Sequence, residues 1–429
     1  MAIKKALSEL FENEGQVLRK AVLVAVDTGE YDVDVSLAEL TELASTADIE
    51  SVAEVAQKRG RLDRAFAIGR GKLHEVALFC HNTGADLVLF DQELSALQLR
   101  NIEEVCEVGV MDRTMLILEI FSRRARSHEG RLQVELARSR YLLPRLTGMG
   151  VELSRLGGGG GGAGAGARRG KGETMLELNR RTIREKISGL ESQLEDLAER
   201  RSRTRQRRKK EGVLSAAIVG YTNVGKSTLL NALTGAGVLA EDKLFATLDP
   251  TARALVLPDG RKVLLIDTVG LVRRLPHHLV KAFHSTLEEA IHADLILNVC
   301  DISSPEAKDQ IQVTRDLLTE LKLGDTPILN VLNKADNLAE PISPLGEQTA
   351  VISAKTGDGF DELLRKVAAL LPDGSRRLRL LIPYDQGGLV AEIREQGKIY
   401  AEEFVAQGTL LDALVGPKIL HKVEAHIQP

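Results

Sequence analysis

Eight consecutive residues, Gly220-Tyr221-Thr222-Asn223-Val224-Gly225-Lys226-Ser227, carry two glycines flanking four residues, then lysine, then a hydroxyl. Each part has a use toward a polyphosphate. Glycines let the backbone bend around phosphate oxygens so that successive N–H groups and a helix N-terminus point at them. Lys226 can neutralise the β and γ phosphates, and Ser227 can supply an oxygen to Mg²⁺. The pattern needs a strand before it and a helix after it. Ser215-Ala216-Ala217-Ile218-Val219 reads as that strand and Thr228-Leu229-Leu230-Asn231-Ala232-Leu233 as that helix.

Three further groups follow in order. Ala254-Leu255-Val256-Leu257 and Val263-Leu264-Leu265-Ile266 flank Pro258-Asp259-Gly260, a hairpin that delivers Asp267-Thr268-Val269-Gly270 at a strand end. There Asp267 can hold Mg²⁺ through water, and the Gly270 N–H can meet a γ phosphate. Ile328 to Leu332 ends in Asn333-Lys334-Ala335-Asp336, and Val351-Ile352 ends in Ser353-Ala354-Lys355. Strand ends are where an α/β sheet binds its ligand. A carboxylate at Asp336 can accept from the ring N–H and exocyclic amine of guanine, an arrangement that adenine does not offer. Individually these short motifs say little, but their order and placement point to GTP.

The elements that must position them belong to a large chain. At roughly 150 residues per domain, 429 residues predict about three domains. The 43% hydrophobic and 28% charged residues are a globular mixture, which excludes global disorder. No apolar run is long enough to cross a bilayer, and the start lacks an apolar stretch followed by a small-residue cleavage site. Cys80, Cys106 and Cys300 are too few and too far apart for a disulfide framework or a zinc cage, so a reducing, cytoplasmic location is expected. Residues 1–127 read as an α/β unit with buried strands at Ala21 to Val26 and Leu87 to Phe90. Ile68-Gly69-Arg70-Gly71-Lys72 there is either a phosphate loop without the Walker spacing or an ordinary turn.

Residues 128–212 read as a helical hairpin. A helical pattern begins near Ser127 and breaks at Leu156, and the glycine-dense stretch from Gly157 to Gly172 reads as a loop at the tip. A second helix follows from about Glu173, its apolar seam marked by Leu176, Ile183, Ile187, Leu190, Leu194 and Leu197. The net charge of −4 hides an asymmetry. Between Arg168 and Glu211 there are 15 Lys or Arg against 8 Asp or Glu, a net of +7 that leaves −11 on the rest. Arg168, Arg169 and Lys171 stand by the tip, and eight basic residues run from Arg200 to Lys210. Such a run is either a solvated face or a polyanion contact. With only 3% aromatic residues and no tryptophan, any RNA contact is expected to run through phosphates rather than stacked bases. Residues 213–373 form the GTP-binding domain and 374–429 a small α+β appendage, so the fold class is α/β with a central P-loop GTPase domain.

The motifs GYTNVGKST, DTVG, NKAD and SAK resemble the G1, G3, G4 and G5 motifs of translation-factor-related GTPases, and the whole chain resembles the HflX family. Particular to that family are Phe245-Ala246-Thr247-Leu248-Asp249, similar to its switch I, and Gly172-Glu173-Thr174-Met175-Leu176-Glu177 at the loop exit. The resemblance implies a GTPase that binds the large ribosomal subunit and its RNA and separates stalled or idle ribosomes; apart from it, the free chain is expected to be monomeric and to have no membrane span. It further implies that Thr247 completes the Mg²⁺ shell with Ser227, with Thr251 as the competing choice. Lys226, Thr247 and Gly270 would then carry catalysis. Leu271 stands where Ras-like enzymes place the glutamine that orients the attacking water. The switch I backbone, His277 or His278, or the ribosome must orient it instead. Two other readings remain open on sequence: a ribosome-assembly GTPase of the Era or Obg kind, and a non-catalytic RNA-binding protein with GTP as a structural ligand.

Overall fold

The computed structural model describes residues 19–146, 165–210, 212–235, 244–245, 251–274, 284–320, 326–338, 340, 346, 348–372 and 376–428. The chain forms two compact units. The first holds the described residues up to Asp196, together with Leu244–Phe245 and Val269–Arg274 from further along the sequence.

Strand Arg19–Asp27 (β1) is apolar and buried on both faces from Ala21 to Val26, as the middle of a central parallel strand must be. It pairs with Ile49–Lys58 (β2) on one side and Leu87–Phe90 (β3) on the other, and Gly109–Asp112 (β4) lies beyond β3, all parallel. Four helices connect and cover this sheet: Val33–Thr46 (α1), Arg70–Thr83 (α2), Ala96–Cys106 (α3) and Arg113–Arg124 (α4). Short polar residues start three of them. Asp32 accepts from the N–H groups of Asp34 and Val35, Ser95 forms a capping box with Gln98, and Asp112 accepts from Met115 N. The segment containing Gly69 resolves as the start of α2, where the Gly69 N–H donates to Gln57 Oε1 at 2.7 Å. The strand order β2-β1-β3-β4 reverses direction between β1 and β3, which opens a crevice at their carboxyl ends.

Helix His128–Arg145 (α5) is tied to this sheet by Tyr141, whose hydroxyl donates to the fully buried Asp112 at 2.8 Å. Arg145 stacks over the Tyr141 ring at 3.5 Å and donates to Leu94 O at 2.7 Å. The second helix, Ala165–Lys210 (α6), starts eight residues before the expected Glu173. Arg168, Arg169 and Lys171 therefore stand on helical backbone rather than in a tip loop. Alanine alternates with glycine there, and adding turns to an existing helix avoids the unfavourable nucleation step. The glycines from 157 to 164 lie outside the described residues. Arg140 pairs with Glu191 at 2.7 Å and Lys186 with Glu135, so the two helices meet. Along α6 the seam residues Ile183, Ile187, Leu194 and Leu197 are half-buried and Leu190 is buried, between exposed neighbours.

The second unit is built on six strands: Leu214–Gly220 (β5), Thr251–Val256 (β6), Lys262–Asp267 (β7), Leu295–Asp301 (β8), Ile328–Asn333 (β9) and Thr349–Val351 (β10). Their order is β10-β9-β8-β5-β7-β6, parallel except that β6 and β7 form the antiparallel hairpin predicted around Pro258-Asp259-Gly260. Helices Lys226–Thr234 (α7), His284–Ile291 (α8), Ala307–Glu320 (α9) and Phe360–Leu370 (α10) accompany the sheet. The C-terminal appendage is a separate antiparallel sheet. Arg376–Ile382 (β11), Lys398–Val405 (β12) and Gly408–Val415 (β13) pair in the order β11-β13-β12. Gly387–Gln396 (α11) and Pro417–Val423 (α12) pack on it around Ile393, Ile419 and Val423, which are fully buried.

Candidate functional site

Strand β5 ends at Gly220, and the loop to α7 turns there for steric reasons. Gly220 has φ +150°, and a Cβ on it would lie 2.1 Å from the Val299 carbonyl oxygen of β8. Gly225, with φ +91°, would put a Cβ 2.4 Å from Asn333 Nδ2. Both positions combine positive φ with a close backbone or amide neighbour, so only glycine fits. Lys226 opens α7 but is buried, and its ammonium donates to the carbonyls of Gly220 at 3.1 Å and Tyr221 at 2.6 Å. Burial lowers its pKa to about 8, an effect opposed by the charge of Asp267. The loop thus holds its lysine against its own carbonyl oxygens, groups that an anion can replace. Among the other loop residues, Tyr221, Thr222 and Val224 are buried while Asn223 is exposed.

Asp267 is fully buried at the end of β7, and the Ser227 hydroxyl donates to its Oδ2 at 2.8 Å. A hydroxyl and a carboxylate at this separation are hard oxygen donors of the kind that Mg²⁺ takes, so the pair fits that ion. Thr251 lies directly opposite Asp267 in the β6–β7 ladder, and its buried Oγ1 has no hydrogen-bond partner among the described residues. Thr268 serves the scaffold, donating to Ile218 O at 2.7 Å and locking β7 to β5.

The NKAD and SAK segments converge at the ends of β9 and β10. Asn333 Nδ2 donates to Val224 O at 2.8 Å, while its Oδ1 accepts from Ala354 N at 2.8 Å. One buried amide therefore ties the phosphate loop to the SAK loop. Asp336 is exposed, its Oδ1 accepts from the Ser353 hydroxyl at 2.7 Å, and this hydrogen bond holds its carboxyl below the usual range. Ala335 begins the short helical turn that carries Asp336, with its N–H donating to Ile352 O at 3.1 Å. Lys334 adopts φ +63° and pairs with Asp301 at 2.8 Å, and Lys355 stands beside Asp336, its charge adding to the lowering. Asp301 was not singled out in the sequence. Its position at the carboxyl end of β8, next to β5, is the signal that marks it.

The remaining predicted residues divide. Val269, Gly270 and Phe245 belong to the first unit, with Val269 and Phe245 buried in the core around β1, α1 and α4. Phe245 meets Phe121 edge-on with ring centroids 4.6 Å apart, and Leu244 N donates to Thr46 Oγ1 at 3.2 Å. Leu271 and Val272 are buried as well. Ala246, Thr247, Leu248, Asp249, His277 and His278 lie outside the described residues.

A glycine-rich loop between strand and helix, an acidic strand end, and Asn-Lys-Ala-Asp and Ser-Ala-Lys turns on one sheet define a P-loop GTPase. Three family models match consecutive stretches: GTP-binding GTPase N-terminal over residues 34–122, GTP-binding GTPase Middle Region over 124–208, and 50S ribosome-binding GTPase over 215–334. The GTPase HflX of Caldanaerobacter subterraneus subsp. tengcongensis is 48% identical over 409 residues, 95% of this chain and 94% of that one. That of Lacrimispora saccharolytica is 45% identical over 413 residues, 95% and 96% of the two chains. A solved GTP-binding protein from the archaeon Sulfolobus solfataricus in complex with GDP aligns at 24% identity over 82% of this chain and 98% of that one, with a TM-score of 0.45. The chain belongs to the HflX family of GTPases and hydrolyses GTP.

Proposed function

We propose that this GTPase acts in the cytoplasm on the large ribosomal subunit, binding its RNA and promoting separation of stalled or idle ribosomes into subunits. The observation that carries this is the match of residues 215–334 to the 50S ribosome-binding GTPase model, on a chain whose α6 places a basic run from Arg200 next to the same domain in sequence.

The chain's own groups account for binding and orientation. The N–H groups from Thr222 to Ser227 and the Lys226 ammonium receive the phosphates, with Lys226 exchanging the Gly220 and Tyr221 carbonyls for phosphate oxygens. The Asp336 carboxylate, kept ionised by Ser353, accepts from the guanine edge. Asn333 holds the phosphate loop and the SAK loop in register, so base and phosphates are read together. Ser227 and Thr247 would hold Mg²⁺ directly and Asp267 through water. When bound, that ion neutralises charge on the β and γ phosphates. On the family resemblance the Gly270 N–H would meet the γ phosphate. Leu271 has no polar group with which to orient water, so that task falls to the ribosome, and the chain is a monomer until it meets that partner.

Sedimentation of intact ribosomes mixed with the full chain and GTP, or a non-hydrolysable analogue, tests this reading. The expected result is a shift of 70S-type particles toward free subunits that depends on the nucleotide. Ribosomes that stay intact at saturating protein and GTP would overturn it.

A further inference from the structure

The crevice at the carboxyl ends of β1 and β3 is occupied by a side chain of the chain itself, one that stays 33% exposed. Arg274, three residues after Leu271, donates through Nη2 to Ser36 Oγ at 2.7 Å and to Asp91 Oδ2, and its guanidinium lies 3.7 Å from the centroid of the Tyr31 ring. Ser36 stands on α1 and Asp91 directly follows β3. Asp91 is completely buried, and Arg113 donates to its other oxygen at 2.9 Å. Tyr31 is fixed in turn by Gln92 and by its own hydroxyl, which donates to Asp91 Oδ2 at 3.2 Å.

The backbone beside Arg274 is read as well. Arg273 N donates to Glu39 Oε1 at 3.1 Å, and Arg273 O accepts from Arg113 Nη2 at 3.2 Å, while Glu39 and Arg113 pair with each other at 2.7 Å. One residue is thus gripped on both its N–H and its C=O, and the next side chain enters the crevice, as in a site that recognises a peptide. Arg274 adopts φ +49°, a left-handed conformation that a bulky residue keeps only where its surroundings hold it. The charges support the same occupant. Asp91 and Glu39 bring two negative charges and Arg113 only one positive, so the buried cluster is neutral only when a further cation enters. Ser36 Oγ and Asp91 Oδ2 both accept from the single nitrogen Nη2, so the preference for a guanidinium comes from the ring face of Tyr31, on which a planar cation stacks and a tetrahedral ammonium does not.

We infer that the β1/β3 crevice is a guanidinium-binding site whose ligand is Arg274, so that the segment following Gly270 is held by the N-terminal sheet through a specific and replaceable contact. This inference does not depend on ribosome binding.

The test uses the full chain with Arg274→Ala and methylguanidine as the probe. Calorimetric titration should show saturable binding of methylguanidine to R274A, none to the wild type, whose crevice is occupied, and none to R274A carrying Tyr31→Ala. Methylamine, of equal charge but without a planar face for the Tyr31 ring, should not bind R274A. Hydrogen exchange at Val272 and Arg273 should be about tenfold faster in R274A than in the wild type, with R274K between them, since the ammonium keeps the charge but loses the planar stacking. R274G relieves the backbone strain, so exchange there as fast as in R274A assigns the hold to the guanidinium. Equal methylguanidine binding by wild type and R274A, or unchanged exchange in R274A, would overturn the inference.

Discussion

The molecule contains two doubly wound sheets, each with a crevice at the carboxyl ends of its strands, and the two crevices are finished in opposite ways. At β5 the crevice is lined by backbone: Gly220 and Gly225 give up side chains, and Lys226 rests on carbonyl oxygens that a phosphate can displace. At β1 and β3 it is lined by side chains, Asp91, Ser36, Tyr31 and Arg113, and is occupied by Arg274. The same topology therefore serves exchange of an external ligand in one place and internal fastening in the other. What distinguishes them is whether the polar groups at the strand ends are left for a visitor or satisfied from within the chain.

The largest effect should come from breaking the fastened crevice. Asp91→Ala leaves the buried Arg113 with Glu39 alone and takes the carboxylate from Arg274, and should lower the stability of the first unit by about 3–5 kcal/mol. Thermal unfolding, with hydrogen exchange in β1 and β3 as the local probe, checks this. GDP affinity should stay within about twofold if the two crevices are energetically separate, as sites without shared partners usually are.

Breaking the open crevice should act on the ligand instead. In Gly225→Ala the new Cβ meets Asn333 Nδ2 in a backbone conformation unfavourable to alanine, and GTP affinity should fall about 100-fold, or roughly 3 kcal/mol. Fluorescent nucleotide titration measures it, with the unfolding midpoint of the first unit unchanged.

A smaller change is expected at the base. Asp336→Asn turns an acceptor into a donor facing a donor and should weaken GTP binding by about 2 kcal/mol while improving binding of xanthosine triphosphate. Direct titration of both nucleotides decides it, and equal GTP affinity would remove Asp336 from the guanine edge.

The smallest effect concerns the basic run of α6, where the structure refines the expectation from sequence. Arg201 and Arg205 pair with Glu288 and Glu289 of α8 at 3.1 to 3.2 Å, with side chains 21% and 18% exposed, whereas Arg203 is 77% exposed. Replacing Arg201 and Arg205 by Ala should cost less than about 1 kcal/mol each in stability. It should also flatten the salt dependence of large-subunit binding less than Arg203→Ala does. Binding measured at several salt concentrations separates them.

The open crevice was largely legible in the sequence, because a loop that wraps phosphate needs glycine at fixed spacing and a local strand and helix to hold it. Gly220 to Ser227, Asp267, Asn333 and Asp336 all stand at strand ends of one sheet. The fastened crevice was not legible. Arg274 and Asp91 are 183 residues apart, and neither lies in a spacing pattern that marks it. The pairing of Arg201 and Arg205 was equally hidden, since a charge run says nothing about which of its members will meet Glu288. The helix start at Ala165 was missed because glycine density outweighed the alanines between them.

Phosphate release by the full chain with GTP and Mg²⁺, measured alone and with purified large ribosomal subunits, tests most directly whether the ribosome completes the hydrolytic site. Leu271 provides no group to orient water, so turnover should be slow alone and rise at least tenfold on the subunits, equivalent to about 1.4 kcal/mol of barrier. A rate that large subunits leave unchanged would contradict the claim that the partner completes the site.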